Sequence, residues 1–341
     1  AAPSHVSALM SGVMIKTGVY GILRVVAALG TPEALRTAGL VILAAGIATG
    51  LWGVILAAAQ NDMKRLLAYS SIENIGVIFI GIGIALLGKS SGNPSVTVCG
   101  IAGALLHTLN HSFFKSLLFF GAGNVLTQTG TTSLDSLGGA ARHMPLTAIL
   151  FLVGTAAICA LPPFNGFVSE LLIYSGMFKG IASGSDVLAS AAGLAALALI
   201  GGIVVLAFTK LYGIVFLGTP RSHEVAEASE VDNFRLAAMA LPLAGILFVG
   251  LFPVTAVTAI TRAAGFFVRM PVSASDWLLA PTLTAVGRTA WLLIAVVAAL
   301  AWLRHRTLRA RKVAQGPTWG CSFTAPNIRM QYTGESFSEG L

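Results

Sequence analysis

Eight apolar stretches joined by short polar links dominate this sequence, and they leave a bundle of membrane helices as the architecture it can fold into. They span residues 5–29, 38–59, 66–88, 96–126, 144–179, 187–217, 236–262 and 283–303. A hydrocarbon core about 30 Å thick needs about 20 apolar residues at 1.5 Å rise each, so every stretch is long enough to cross. The fourth and fifth exceed one straight crossing, which requires tilt, a break or two helices. Turn sequences punctuate the links, as in Thr31-Pro32-Glu33, Gly92-Asn93-Pro94 and Gly218-Thr219-Pro220.

Composition agrees. Of 341 residues, 56% are hydrophobic and 10% charged, against about 25% charged in an average soluble domain. A mean hydropathy of +0.85 also excludes a disordered chain. The three cysteines, Cys99, Cys159 and Cys321, lie far apart and form no paired motif, so neither a disulfide framework nor a metal or iron–sulfur site is expected, and no cofactor is expected in this chain. The first residues carry no basic leader and run straight into an apolar segment, so further helices are expected upstream.

The net charge of +8 reads as membrane topology, not as nucleic-acid binding. From Arg304 onward, Arg304, Arg306, Arg309, Arg311, Lys312 and Arg329 stand against Glu335 and Glu339, so six minus two gives +4, half of the excess. A basic flank after the last span marks the cytoplasmic side. The expected organisation is therefore a membrane domain over residues 1–303 with about eight spans, and a basic cytoplasmic tail over 304–341, in a cell inner membrane.

Charges inside such spans cost about 2.5 to 3.5 kcal/mol each at a helix centre, so each needs a reason. Lys16 is the twelfth of the 25 residues from 5 to 29, too deep to reach water easily. It reads either as an ion-conducting group or as a structural partner of a carboxylate on another helix. His107, His111 and Lys115 follow at spacings of four. Such spacing confines them to roughly an 80° arc of one helix and a rise of about 12 Å. Two imidazoles and an amine on one face, with Thr108, Asn110 and Ser112 beside them to hold water, suit proton hopping. Ordinary core histidines are the plainer alternative. Zinc is disfavoured, because no nearby carboxylate completes the pattern.

Pro162, Pro163 and Gly166 interrupt the fifth stretch and predict a broken helix, with Glu170 about one turn beyond it. Transporters place ion sites at such breaks. Glu170 is thus a candidate proton-exchanging carboxylate, the alternative being a proline kink with a glutamate reaching for the interface. Glu73 and Asn74 lie two turns into the third stretch and are secondary candidates. Composition alone makes Lys64 an interfacial loop residue beside solvated Asp62 and Arg65, and makes Lys210 and Arg24 span-end residues whose side chains reach for the interface.

Four segments then carry a resemblance: Met14-Ile15-Lys16-Thr17-Gly18 with its flanks over 7–21, Asn61-Asp62-Met63-Lys64-Arg65 continuing to Ser71, residues 107–118, and Pro162 to Glu170. Their order resembles the antiporter-like subunits of respiratory complex I and of multi-subunit sodium/proton antiporters. The resemblance implies an all-α fold of two inverted five-helix repeats, each with a broken helix, around a hydrated chain of ionisable groups. It places Lys16 on the lysine of the first broken helix, Lys64 on the lysine of the following helix, Glu170 on the charged residue of the second, and His107, His111 and Lys115 on a histidine-rich helix. Lys64 becomes a channel candidate on that ground alone, and Lys210 stays a secondary one. The acidic partner of Lys16 is implied upstream of Ala1. Ser71-Ile72-Glu73-Asn74 and the tail around Thr318-Trp319-Gly320-Cys321 and Arg329 to Thr333 resemble the hydrogenase-4 and formate hydrogenlyase branch.

The expected function is accordingly proton translocation as a membrane subunit of a hydrogenase, formate hydrogenlyase or complex I-like oxidoreductase. Iron–sulfur and nickel–iron or flavin centres are expected in partner subunits, and the partners are other membrane subunits and a peripheral hydrogenase or NADH-dehydrogenase-like module. Two alternatives remain: a cation/proton antiporter in which Glu170 and Asp62 help bind sodium, and a purely structural anchor. No nucleotide-binding glycine motif or nucleophile elbow supports an enzyme acting alone.

Overall fold

The computed structural model describes residues 2–268, 279–309 and 330–338; Arg311, Lys312, Cys321 and Arg329 lie outside them. The described residues are helical, with no strand beyond one isolated bridge between Asp62 and Ser133. The first apolar stretch forms α1 (Ser4–Leu9) and α2 (Ile15–Ala27), joined by one π-helical turn over Met10–Met14. Next come α3 (Pro32–Ala58), α4 (Met63–Ser90), α5 (Pro94–Thr129), α6 (Pro145–Ile158), α7 (Asn165–Ala182) and α8 (Val187–Phe216). A short α9 (His223–Ala226) precedes α10 (Asn233–Leu251), α11 (Pro253–Val268), α12 (Ala280–Leu308) and α13 (Glu335–Ser338).

Local signals set the ends. Thr31, Asp62, Asn93 and Asp232 each accept a hydrogen bond from a backbone N–H of the helix they precede, and proline occupies the first turn of α3 and α5. Gly130, at φ +69°, closes α5 in the left-handed conformation. Among the described residues, six helical segments are long and apolar enough to cross a membrane: Ser4–Ala27, Pro32–Ala58, Met63–Ser90, Val187–Phe216, Asn233–Leu251 and Ala280–Leu308. The more polar α5 is the centre of the bundle, packed by α1, α4, α6, α7, α10 and α11.

Three expectations about the spans are refined. The fourth stretch is one uninterrupted helix of 36 residues. The fifth breaks as expected, between α6 and α7. The seventh is two helices, because Pro253 has no N–H to continue the ladder of α10.

Small residues bring the backbones together. A Cβ on Gly76 of α4 would lie 2.4 Å from the Gly50 nitrogen of α3, so only glycine permits this approach. A Cβ on Gly250 of α10 would lie 2.0 Å from the Pro163 carbonyl, which lets α10 lie directly against the break.

Loop contacts define the two ends. Met63 N–H donates to the Thr132 carbonyl, Gly139 N–H to the Leu217 carbonyl, and Thr219 N–H to Gln331 Oε1 at 3.0 Å. Residues 330–338 therefore lie at the end that carries the α3–α4, α5–α6 and α8–α9 links. Arg221 reinforces this by donating to the carbonyls of Leu134 and Tyr332. Burial holds its guanidinium below the ordinary arginine range, with neighbouring Asp135 acting in the opposite direction. At the other end, Arg36 pairs with Asp186 at 2.7 Å.

Candidate functional site

A row of buried polar side chains runs through the bundle along α5. The π turn before α2 places Lys16 at one end. Its Nζ donates back to the Ser11 carbonyl and reaches His111 Nδ1 at 2.5 Å, joining α2 to α5 across 95 residues of sequence. The wider turn leaves Ser11 able to serve both neighbours, since its hydroxyl also meets that of Ser71 on α4 at 2.7 Å. Ser112 of α5 donates to the Gly12 carbonyl in the same turn.

The three groups on α5 diverge in their partners. All are at most 1% exposed. His111 faces Lys16 with Nδ1, while its Nε2 has no hydrogen-bond partner. Lys115 Nζ donates to the Leu67 carbonyl at 2.8 Å and to Ser70 Oγ at 2.5 Å, both on α4. His107 bridges α4 and α7, through Nε2 to Asn74 Oδ1 and through Nδ1 to Ser169 Oγ, each at 3.0 Å. Phe114 packs edge-on to both imidazoles.

Two carboxylates complete the row. Glu73 accepts from Asn74 Nδ2 and is acted on electrostatically by Lys115 and by Glu170. Glu170, one turn into α7, opens on a cavity of about 310 Å³ lined by Cys159, Phe167, Tyr174, Gly202 and Val205. The break that presents it is tied to α5 by an amide pair: Asn110 Nδ2 donates to the Asn165 carbonyl at 2.7 Å, and Asn165 Nδ2 reaches the Asn110 carbonyl at 3.5 Å. The Oδ1 atoms of both asparagines are buried without a partner, as is His111 Nε2. Buried polar atoms of this kind are ordinarily met by ordered water.

The structure thus brings Lys16, Glu73, Asn74, His107, His111 and Lys115 into one region, with Glu170 on α7 within electrostatic reach of Glu73 and Pro162, Pro163 and Gly166 forming the break beside it. It joins Lys64 to that region by no hydrogen bond. Lys64 sits in the first turn of α4, half-buried, and donates to the Ala2 carbonyl at 2.5 Å on the rim of a cavity of about 610 Å³ whose lining also includes Ser11 and Ser71. Asp62 is engaged as the cap of α4 and by the Thr132 hydroxyl, with no described contact to Glu170. Lys210 does not reach for the interface: it is 1% exposed and donates to the Ala58 carbonyl and Asn61 Oδ1, each at 3.0 Å. Arg24 is exposed and bonds Tyr20 within its own helix.

Ser70, Ser169 and Asn165 were not singled out from the sequence. The spacings Ser70–Asn74 and Asn165–Ser169, each of four residues, carry the same one-face signal that marks the α5 row. Among the described residues, no group of three or more His, Cys, Asp or Glu side chains is placed to hold a metal ion.

Residues 1–198 match the family described as NADH:quinone oxidoreductase/Mrp antiporter, TM. Hydrogenase-4 component B of Escherichia coli (strain K12) is 39% identical over 334 residues, covering 95% of this chain and 50% of that protein. Formate hydrogenlyase subunit 3 of the same organism is 40% identical over 230 residues, covering 67% of this chain and 38% of that protein. Among solved structures, a chain of the archaeal membrane-bound sulfane sulfur reductase superposes with a TM-score of 0.72 at 26% identity, covering 96% of this chain and 51% of that one. The chain spans half or less of the length of these curated relatives.

Proposed function

The chain belongs to the NADH:quinone oxidoreductase/Mrp antiporter transmembrane family, and from that membership we propose that it is a proton-translocating membrane subunit of a hydrogenase, formate hydrogenlyase or complex I-like oxidoreductase. The observation that carries the reading is the contact between Lys16 and His111, two titratable groups from separate helices that meet inside the bundle. Each can hold or release a proton, and each is costly to bury without a use.

The proposed path begins at Lys16, passes to His111, and continues along α5 past Lys115 and His107 to Glu73 and Glu170. Lys115 and Glu170 both act electrostatically on Glu73. A proton reaching either carboxylate therefore changes the charge balance that Lys115 and, through it, the row feel. Water fills the gaps wherever direct hydrogen bonds are absent; the two asparagine oxygens provide acceptors for it and His111 Nε2–H, left protonated when Nδ1 accepts from Lys16, provides a donor. In this reading residues 1–303 form the conducting domain and 304–341 a cytoplasmic tail of an inner-membrane protein. The basic side chains of Arg304, Arg306 and Arg309 at the end of α12 support that orientation. Iron–sulfur and nickel–iron or flavin centres belong to partner subunits, and a peripheral redox module supplies the energy.

The test is acidification of vesicles containing the assembled complex, started by its electron donor. Glu170→Gln abolishes acidification while electron transfer continues, with or without sodium. Undiminished acidification in Glu170→Gln refutes the path.

A further inference from the structure

The hydrogen bonds around His107 fix more than its position. Asn74 Nδ2 donates to the Ser70 carbonyl at 2.8 Å and to Glu73, so Oδ1 is the atom that Asn74 turns toward His107. An amide oxygen only accepts, so His107 Nε2 must carry the proton in that bond. In neutral His107 the other nitrogen, Nδ1, is then a bare acceptor. The donor within reach is the hydroxyl of Ser169, 3.0 Å away.

Ser169 is fully buried and has three neighbours: His107 Nδ1, the Gly166 carbonyl at 3.0 Å, and Asn110 Nδ2, which donates to it at 3.0 Å. A hydroxyl has one proton to give and two lone pairs to fill. When His107 is neutral, Ser169 donates to Nδ1 and accepts from Asn110. When His107 is charged, Nδ1–H donates to Ser169, both lone pairs are filled, and the hydroxyl proton turns to the Gly166 carbonyl at the start of α7. Both arrangements satisfy both His107 Nδ1 and the Asn110 N–H without moving the backbone.

We propose that Ser169 is the proton-positioning residue of His107, a hydroxyl that passes a proton to Nδ1 and rotates between the imidazole and the broken helix with each change of its charge. In the transfer, the Ser169 O–H bond breaks as the His107 Nδ1–H bond forms, and a hydronium on the proposed path supplies the proton of the new O–H bond, leaving as water. The charged groups around this pair are Lys16 on α2, Glu73 on α4, His111 and Lys115 on α5, and Glu170 beside Ser169 on α7. The hydroxyl links the α5 row to the turn that carries Glu170. This role rests on the proton-conducting reading, but the hydrogen-bond assignment beneath it does not.

Two measurements on the assembled complex test it. Histidine ¹⁵N spectra, with His107 assigned by difference against His107→Gln, should show neutral His107 protonated at Nε2 and bare at Nδ1. A neutral form protonated at Nδ1 overturns the proposal whether or not any variant assembles. In vesicles, Ser169→Ala should slow proton translocation at least about tenfold and displace its pH profile, with Ser169→Thr restoring both. An unchanged rate and profile in Ser169→Ala also overturns it. If the wild-type complex moves no protons yet His107 shows the expected tautomer, the functional reading fails while the Ser169 assignment is supported.

Discussion

Replacing Lys16 by methionine separates a conducting lysine from a structural one, because the structure bounds what the change does to stability. The variant loses two charge-assisted hydrogen bonds, to the Ser11 carbonyl and to His111 Nδ1, each contributing about 1.5 to 3 kcal/mol. It also removes an ammonium whose burial in a span costs about 2.5 to 3.5 kcal/mol. The terms nearly offset, and the net is a loss of about 0 to 3 kcal/mol in a helix packed on α5, so the complex should still assemble. Proton transfer has no such compensation, since no other titratable side chain contacts His111 Nδ1. A tenfold slowing corresponds to about 1.4 kcal/mol of barrier, and the loss of a relay exceeds that. The assay is vesicle acidification measured beside electron transfer and subunit recovery. Lys16→Arg sharpens it: arginine keeps the charge and the donors but does not release its proton, so it should also assemble and also fail to translocate. Normal translocation by Lys16→Met would refute the reasoning.

Other expectations follow from packing and surface geometry. Gly76→Ala drives a methyl into the backbone of Gly50 and should cost about 1 to 3 kcal/mol, seen as a lower unfolding temperature; Gly213→Ala, with nothing within 4 Å of its new methyl, should be neutral or stabilising by up to about 1 kcal/mol in the same scan. Arg36→Ala should change stability by about 1 kcal/mol or less, because that arginine is 58% exposed and its pair with Asp186 is largely screened. Gln331→Ala removes the acceptor of the Thr219 N–H, and hydrogen exchange at that amide should accelerate while the amides of α4 and α5 stay protected.

Much of the site was legible because its residues obey helical periodicity or violate membrane chemistry. Lys16 stood out by depth, the α5 row by its spacing of four, and Glu170 by its place behind two prolines and a glycine. What the sequence withheld were the contacts across helices. Nothing local pairs His111 with Lys16, or Lys115 with Ser70, because those meetings depend on how the π turn and the glycine seam rotate neighbouring spans. Lys64 shows the converse: motif position alone made it a pathway candidate, and the Asp62 cap starts α4 there, so Lys64 stands in the first turn of the helix. Lys210 lies near a span end in sequence, yet the α3–α4 link folds over it and buries its amine against Ala58 and Asn61.

The path from Lys16 to Glu170 is tested most directly by a map of the assembled complex fine enough to show water. Ordered water should lie within hydrogen-bond reach of His111 Nε2 and of the Oδ1 atoms of Asn110 and Asn165, and continue from Glu73 to Glu170. A dry, side-chain-filled gap between the α5 histidines and Glu170 would contradict it.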